Sequence, residues 1–237
     1  MKNKLIVISL GGSLIFPPEG IDWKFLKKFK ELILKFVKNN HRFVIISGGG
    51  NICRQYQNAV LKTGVIDKED RDWIGIHSTR LNGHLLRTIF RKYAHPRINK
   101  NPYQKFDFRE KILIGAGWKP GFSTDLDAVI LAKEYGARTL INLSNIDYVH
   151  TKDPKKFKDA KKIKEIAWPN FRKIVGDKWD PGLNAPFDPV ASKMAEELKM
   201  EVTIMNGKKL KNFESYLIGN KFQGTIIHPD TYPKNKY

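Results

Sequence analysis

The sequence predicts an α/β protein with a central, mostly parallel sheet and crossover helices. Two observations carry that prediction. Short, continuously apolar runs enter glycine loops at three places: KLIVISL before Gly11-Gly12, FVIIS before Gly48-Gly49-Gly50, and KILIGA before GWKPGFSTD. After each loop, apolar residues recur at helical spacing. Strand, loop, helix, strand is the rhythm of parallel strands joined by helices packed on the sheet. A run that is apolar at every position, not every second one, suits a strand covered on both faces. The 237 residues suffice for one core or two closely joined lobes. No Pro/Gly/Ser-rich linker divides them, so residues 1–237 are expected to fold as one unit.

Leu5, Ile6, Val7 and Ile8 open the first strand, expected at 4–10. The N-terminus is basic and then apolar, but the run is short and enters a glycine loop, which marks a strand and not a targeting segment. Asp22 is placed to cap a helix in which Phe25, Leu26, Phe29, Leu32, Ile33 and Phe36 form one stripe. That helix stops at Asn39-Asn40, and a second strand follows at 42–46. Helices are expected at roughly 51–62 and 70–92, the latter striped by Trp73, Ile76, Leu81, Leu85, Leu86 and Ile89. Residues 94–110 carry two prolines and little periodicity, and read as mostly loop. A strand at 111–116 leads through GWKPGFSTD to a helix that Ser123 or Thr124 can cap and Gly136 can end. The next strand lies at 138–143. Residues 145–166 are polar and lysine-rich and read as an excursion loop. WPNFRKIVG is a short helix with Pro169 in its first turn. After a loop comes DPVASKMAEELKM, a helix capped by Asp188 with Pro189 first inside it. MEVTIMNG is a strand, LKNFESYLIG the last helix, and GTIIHP a closing strand.

Composition narrows the function classes. The formal net charge of +19 favours anionic ligands. The lysines are spread along the chain, in pairs such as Lys27-Lys28 and Lys161-Lys162, without a recognition motif for nucleic acid. No specific nucleic-acid partner is expected. A single cysteine, Cys53, cannot form an internal disulfide, and no Cys-rich metal spacing is present. This fits a reducing compartment, so a cytoplasmic location is expected. No run reaches the ~18 apolar residues that mark a membrane span.

The three glycine loops hold the chemistry. Glycine lets backbone N–H groups turn toward a ligand, and a following helix adds the positive end of its dipole. Three such loops at equivalent positions point to two or more phosphate groups converging at the strand ends. No G-x-x-x-x-G-K-[ST] loop, G-x-G-x-x-G fingerprint, protein-kinase motif set or G-x-S-x-G elbow is present. Transfer between two phosphates needs cations to offset like charge. Arg54, Lys119 and Lys193 stand near the loops. Asp125 and Asp127 begin a helix, where they cap it, orient lysines or hold Mg²⁺.

SLGGSL, VIISGGGNICRQY, DWIGIHSTRLNGHLL, GWKPGFSTDLDAVILAKEYGA, NLSNIDYVHTKDPKK, FDPVASKMA and GTIIHP, taken in order, resemble the amino-acid kinase superfamily. The resemblance is nearest to the archaeal-type UMP kinases and runs from Leu5 to about Pro229. It implies a three-layer sandwich around a mostly parallel sheet, with an acceptor lobe at about 1–135 and an ATP lobe at about 136–237. It implies ATP and Mg²⁺ as cofactors, UMP as acceptor, and a homo-oligomer, a hexamer built from dimers. By the same resemblance Gly12, Ser13, Gly50 and Arg54 contact ATP phosphates, and Ser144, His150 and Asp153 the adenine nucleotide. Gly49, Asp72 and the stretch Gly117, Trp118, Lys119, Pro120, Gly121, Phe122 and Ser123 hold UMP. Arg54, Asp125 and Lys193 act in catalysis, and no residue is assigned as a metal ligand.

Two stretches depart from the family pattern. This chain reads S-N-I-D-Y-V-H where the family reads T-N-V-D-G-V-Y, so Tyr148 fills space a glycine leaves open. In the acceptor loop, Trp118, Lys119 and Phe122 replace polar or imidazole groups. These departures keep two alternatives in view: a kinase of this fold for another small phosphate acceptor, and a nucleotide-binding or storage protein without turnover.

Overall fold

The computed structural model describes residues 5–64, 67–176, 178 and 185–230. The chain runs β1 (Leu5–Leu10), α1 (Gly12–Ile15), α2 (Trp23–Lys38), β2 (Arg42–Ser47), α3 (Gly50–Thr63), α4 (Lys68–Ile89), β3 (Ile112–Gly115) and α5 (Thr124–Glu134). It continues β4 (Thr139–Ser144), β5 (Val149–His150), β6 (Lys162–Ile163), β7 (Glu165–Ala167), α6 (Trp168–Val175), α7 (Pro189–Glu197), β8 (Glu201–Asn206), α8 (Leu210–Leu217) and β9 (Thr225–His228).

Seven strands form one sheet in the order β3-β2-β1-β4-β8-β9-β7. The pairings β1–β2, β2–β3, β1–β4 and β4–β8 are parallel, and only β9 runs antiparallel to its neighbour β8. The chain steps outward from β1 to β2 and β3, then returns to lay β4 on the other side of β1. The order therefore reverses between β1 and β4, the position at which open parallel sheets place their ligands.

Strand periodicity divides the core into two layers. Ile6, Ile8 and Leu10 of β1, with Phe43 and Ile45 of β2, face α2, α4 and α8. Val7, Val44 and Ile46 face α5, α6 and α7. On the first face, Phe29 and Ile33 of α2 are fully buried with Phe90 and Phe213. On the second, Trp168 is fully buried and its Nε1 donates to Met200 O at 2.8 Å. Its indole thus buries a large apolar surface without stranding its one donor.

The expected caps form. Asp22 accepts from Phe25 N at 2.9 Å, Ser123 from Leu126 N at 3.1 Å, and Asp188 from Ala191 N at 2.6 Å. Four elements escaped the sequence reading. The first glycine loop closes into the four-residue α1, and the 145–166 excursion holds β5 and β6, which pair antiparallel. β7 follows and joins the main sheet beside β9. Much of the loop expected between α6 and α7 lies outside the described residues.

Candidate active site

The first two glycine loops are one packed unit. Gly11 N donates to Leu143 O at 2.8 Å and Gly48 N to Leu10 O at 2.9 Å, which ties both loops to the β1–β4 switch. A Cβ on Gly12 would lie 2.0 Å from Gly50 N and 2.6 Å from the carbonyl carbons of Gly48 and Gly49. Gly50 has φ +72°, and a Cβ there would sit 2.4 Å from Gly12 O. These glycines are required by backbone meeting backbone. The helices α1 and α3 start here, so their free N–H groups gather at one place. Asn82 of α4 pins the second loop, its Nδ2 donating to Gly48 O at 2.9 Å and Gly49 O at 3.0 Å. Cys53 packs against Gly49 and Gly75, and burial pushes its thiol pKa up, with Arg54 opposing. This is the setting of a small apolar side chain and not of a reactive thiolate.

The period of β1 and β4 sends Ser9 and Asn142 toward α5, where both meet Asp125. Ser9 Oγ donates to Asp125 Oδ1 at 2.8 Å, and Asn142 Nδ2 donates to the same oxygen at 2.9 Å. Asp188 N donates to Oδ2 at 3.3 Å. One carboxylate therefore fastens β1, β4 and the start of α7. Asp125 is only partly exposed, and enclosure by protein raises its pKa to about 6 against the pull of Ser9. Burial likewise raises Asp188.

Lys193 lies on α7, the helix whose start Asp125 holds, and Arg54 lies on α3 just past the second loop. Both are exposed, and neither makes an ion pair among the described residues. Ser13 sits half-buried on α1. Ser144 ends β4 against Gly11, and its O accepts from Gly207 N at 2.9 Å. His150 lies on β5. Asp153 is exposed and turns back on its own loop, accepting from Lys155 N at 2.9 Å. Asp147 holds this excursion to the sheet through Asn206 at 3.0 Å and Lys209 at 2.9 Å. The neighbouring Tyr148 ring lies 5.4 Å from Lys162 Nζ.

The third loop is clamped from two helices. Thr79 Oγ1 accepts from Gly117 N at 2.8 Å, and Asp72 Oδ2 accepts from Gly121 N at 3.0 Å. Arg80 donates from Nε to Gly117 O at 3.1 Å and from Nη2 to Trp118 O at 2.6 Å. From α5, Asp127 Oδ2 accepts from Trp118 N at 3.2 Å. Trp118 and Phe122 meet edge to face with centroids 4.6 Å apart, leaving no slot for a planar base between them. Lys119 Nζ lies 4.3 Å from the Trp118 centroid. A cavity of about 810 Å³ opens on this side, lined by Trp73, Arg80, Trp118 and Lys119 among others but by none of the first two loops.

Sequence reading missed Ser9, Asn142, Asn82, Thr79 and Arg80. The available signal was a polar residue inside an otherwise apolar strand or helix face, which must find a partner when buried. Among the described residues, no group of three or more His, Cys, Asp or Glu side chains is placed to hold a metal ion. No helix of the described residues is long and apolar enough to cross a membrane.

Known proteins share this architecture. The chain is 31% identical over 228 residues to the uridylate kinase of Methanococcus aeolicus, covering 94% of this chain and 99% of that protein. It is 32% identical over 232 residues to the uridylate kinase of Methanocorpusculum labreanum, covering 94% of each. The crystal structure of uridylate kinase from Archaeoglobus fulgidus matches with a TM-score of 0.80 at 27% identity, covering 94% of this chain and 99% of that one. The model of the amino acid kinase family matches residues 4–206. With that span, and with relatives above 30% identity along nearly its whole length, this chain belongs to the amino acid kinase family.

Proposed function

We propose that the protein transfers the γ-phosphoryl group of MgATP to UMP, giving ADP and UDP. The observation that carries this is the joined pair of glycine loops at the β1–β4 switch, with Asp125 and the exposed Arg54 and Lys193 around it. The relatives named uridylate kinase support UMP as the acceptor.

A phosphate oxygen of UMP attacks Pγ, the new O–P bond forms, and the bond from Pγ to the β,γ-bridging oxygen breaks as ADP leaves. The acceptor oxygen carries no proton at neutral pH, so no general base is required. What the protein must supply is alignment and positive charge. Backbone N–H groups around Gly12, Ser13 and Gly50 hold the ATP phosphates. Arg54 and Lys193 offset charge on the moving phosphoryl group. Asp125 fixes α7, and so the direction from which Lys193 approaches. Gly49, Asp72 and the loop from Gly117 to Ser123 seat the acceptor. Ser144, His150 and Asp153 border the adenine nucleotide. Among the described residues no acidic cluster is placed to cage a metal ion; Mg²⁺ would be carried by the ATP phosphates, whose charge it would offset. The single cysteine supports a cytoplasmic setting, and the family resemblance supports a hexamer built as a trimer of dimers.

ADP release measured across all nucleoside monophosphates tests the proposal. UMP is expected to give the highest kcat/KM. Turnover only on another phosphate acceptor overturns the choice of UMP, and nucleotide binding without turnover overturns the kinase reading.

A further inference from the structure

Asp127 is a carboxylic acid without an evident reason to be where it is. It is 1% exposed, in the first turn of α5. A solvated aspartate would cap that helix equally well. Oδ2 accepts from Trp118 N, while Oδ1 is buried with no hydrogen-bond partner. A buried polar atom left unpaired is costly, so such a group calls for an explanation. Across the same peptide stands Arg80, whose guanidinium is spent on the carbonyls of Gly117 and Trp118.

We propose that Asp127 is a positioning residue for the acceptor: together with Arg80 it fixes the Gly117–Trp118 peptide and thereby sets how tightly the loop closes on a phosphate-bearing substrate. This rests on the reading of 117–123 as the acceptor loop.

The two side chains are rivals as well as partners. An uncharged carboxyl leaves Arg80 to the two carbonyls. An ionised one holds the Trp118 N–H more strongly but also draws the guanidinium away from the two carbonyls, because a buried charge needs more than one donor to offset it. The surroundings hold the uncharged form. Burial raises the pKa to about 8, opposed by the Trp118 N–H and Arg80 and reinforced by Asp125 on the same helix. Asp188 at the head of α7 acts on Asp125 in turn. Asp72 of α4 is engaged with Gly121 N, and Lys119 lies over the rings of Trp118 and Phe122. The loop is therefore closed at neutral pH and loosens as pH rises past about 8.

The experiment compares the pH dependence of KM for UMP in wild type, Asp127→Asn and Asp127→Leu. The competent fraction divides the apparent affinity, so wild-type KM is expected to rise about tenfold from pH 7 to 9, with the effect on KM and not on kcat. Asp127→Asn keeps an acceptor for Trp118 and cannot ionise, so the rise disappears. Asp127→Leu removes the acceptor and raises KM at every pH. Parallel profiles in wild type and Asp127→Asn overturn the proposal, as does a loss confined to kcat. A second readout needs no substrate: with fluorotryptophan incorporated and Trp118→Phe used for assignment, the Trp118 ¹⁹F resonance is expected to titrate near pH 8 in wild type and stay fixed in Asp127→Asn. A resonance that titrates in both, or in neither, overturns the positioning role. If the wild type phosphorylates no nucleoside monophosphate, the function reading fails while this resonance still decides the role of Asp127.

Discussion

Ser9 Oγ donates to Asp125 Oδ1 across 2.8 Å, and that oxygen also receives Asn142 Nδ2. A carboxylate bound to two strands and one helix start cannot turn freely. It ties the start of α7 to β1 and β4.

Asp125→Asn is expected to lower kcat by about 10²-fold, the scale seen when one preorganised electrostatic contact is lost. The wild-type pKa is raised to about 6, so the ionised, orienting form appears as pH rises through that value. Wild-type kcat therefore gains an acid limb near pH 6, and the variant loses it. Steady-state kinetics between pH 5 and 8 check both points.

Lys193→Ala and Arg54→Ala separate function from folding. Both side chains are exposed and unpaired among the described residues, so each change should move stability by less than about 0.5 kcal/mol. Turnover should fall by about 10²-fold or more. Urea unfolding beside a coupled ADP assay tests the contrast.

Gly12→Ala should do the reverse. Its new Cβ would lie 2.0 Å from Gly50 N, an overlap that backbone cannot relieve locally. A loss above about 4 kcal/mol, or failure to accumulate folded protein, is expected. Gly136→Ala is the control. Gly136 has φ +69° but open space around it, so only the left-handed conformation is penalised, by about 1 kcal/mol. Chemical denaturation of both variants ranks them.

Asp72→Asn should weaken the hold on Gly121 N without touching the first two glycine loops. KM for the acceptor is expected to rise about tenfold, a loss of about 1.4 kcal/mol, while KM for ATP stays put. Separate titration of the two substrates reads this directly.

Asp127 also leaves a mark on stability. Its folded pKa of about 8 lies above the ordinary value of 3.8, so the folded state binds the proton more tightly than the unfolded chain does. The stabilising contribution is complete below about pH 4 and is lost progressively as pH rises to about 8. Urea midpoints at pH 5, 7 and 9 should fall in the wild type and fall less in Asp127→Asn.

The strands of the main sheet were legible because four of them, β1 to β4, are covered on both faces and so are apolar at successive positions. Glycine loops marked the ends of β1, β2 and β3. β5, β6 and β7 were not legible. They are two or three residues long, carry Lys162 and Glu165, and owe their existence to partners that the local pattern does not mention, as β7 does to β9. In the site, Asp125 was legible from its helix start. Its partners were not, because Ser9 and Asn142 look like tolerated polar residues in VISL and INLS until two strands are laid side by side. Arg80 sits four residues from Ile76 on a helix whose stripe seemed purely apolar, and its role depends on a loop 37 residues away.

Gly12 and Gly50 touch through bare backbone, so mechanically the first two loops are a single part. A joint of that kind has no slack, and opening it would separate strands at the centre of the sheet. The 117–123 loop and the β5–β6 hairpin lie outside that joint, held by side chains of α4 and α5 and by Asn206 and Lys209. The division also sorts where change is tolerated. The joint is fixed by backbone against backbone, while GWKPGFSTD, mounted outside it on side-chain clamps, can be rewritten without disturbing it.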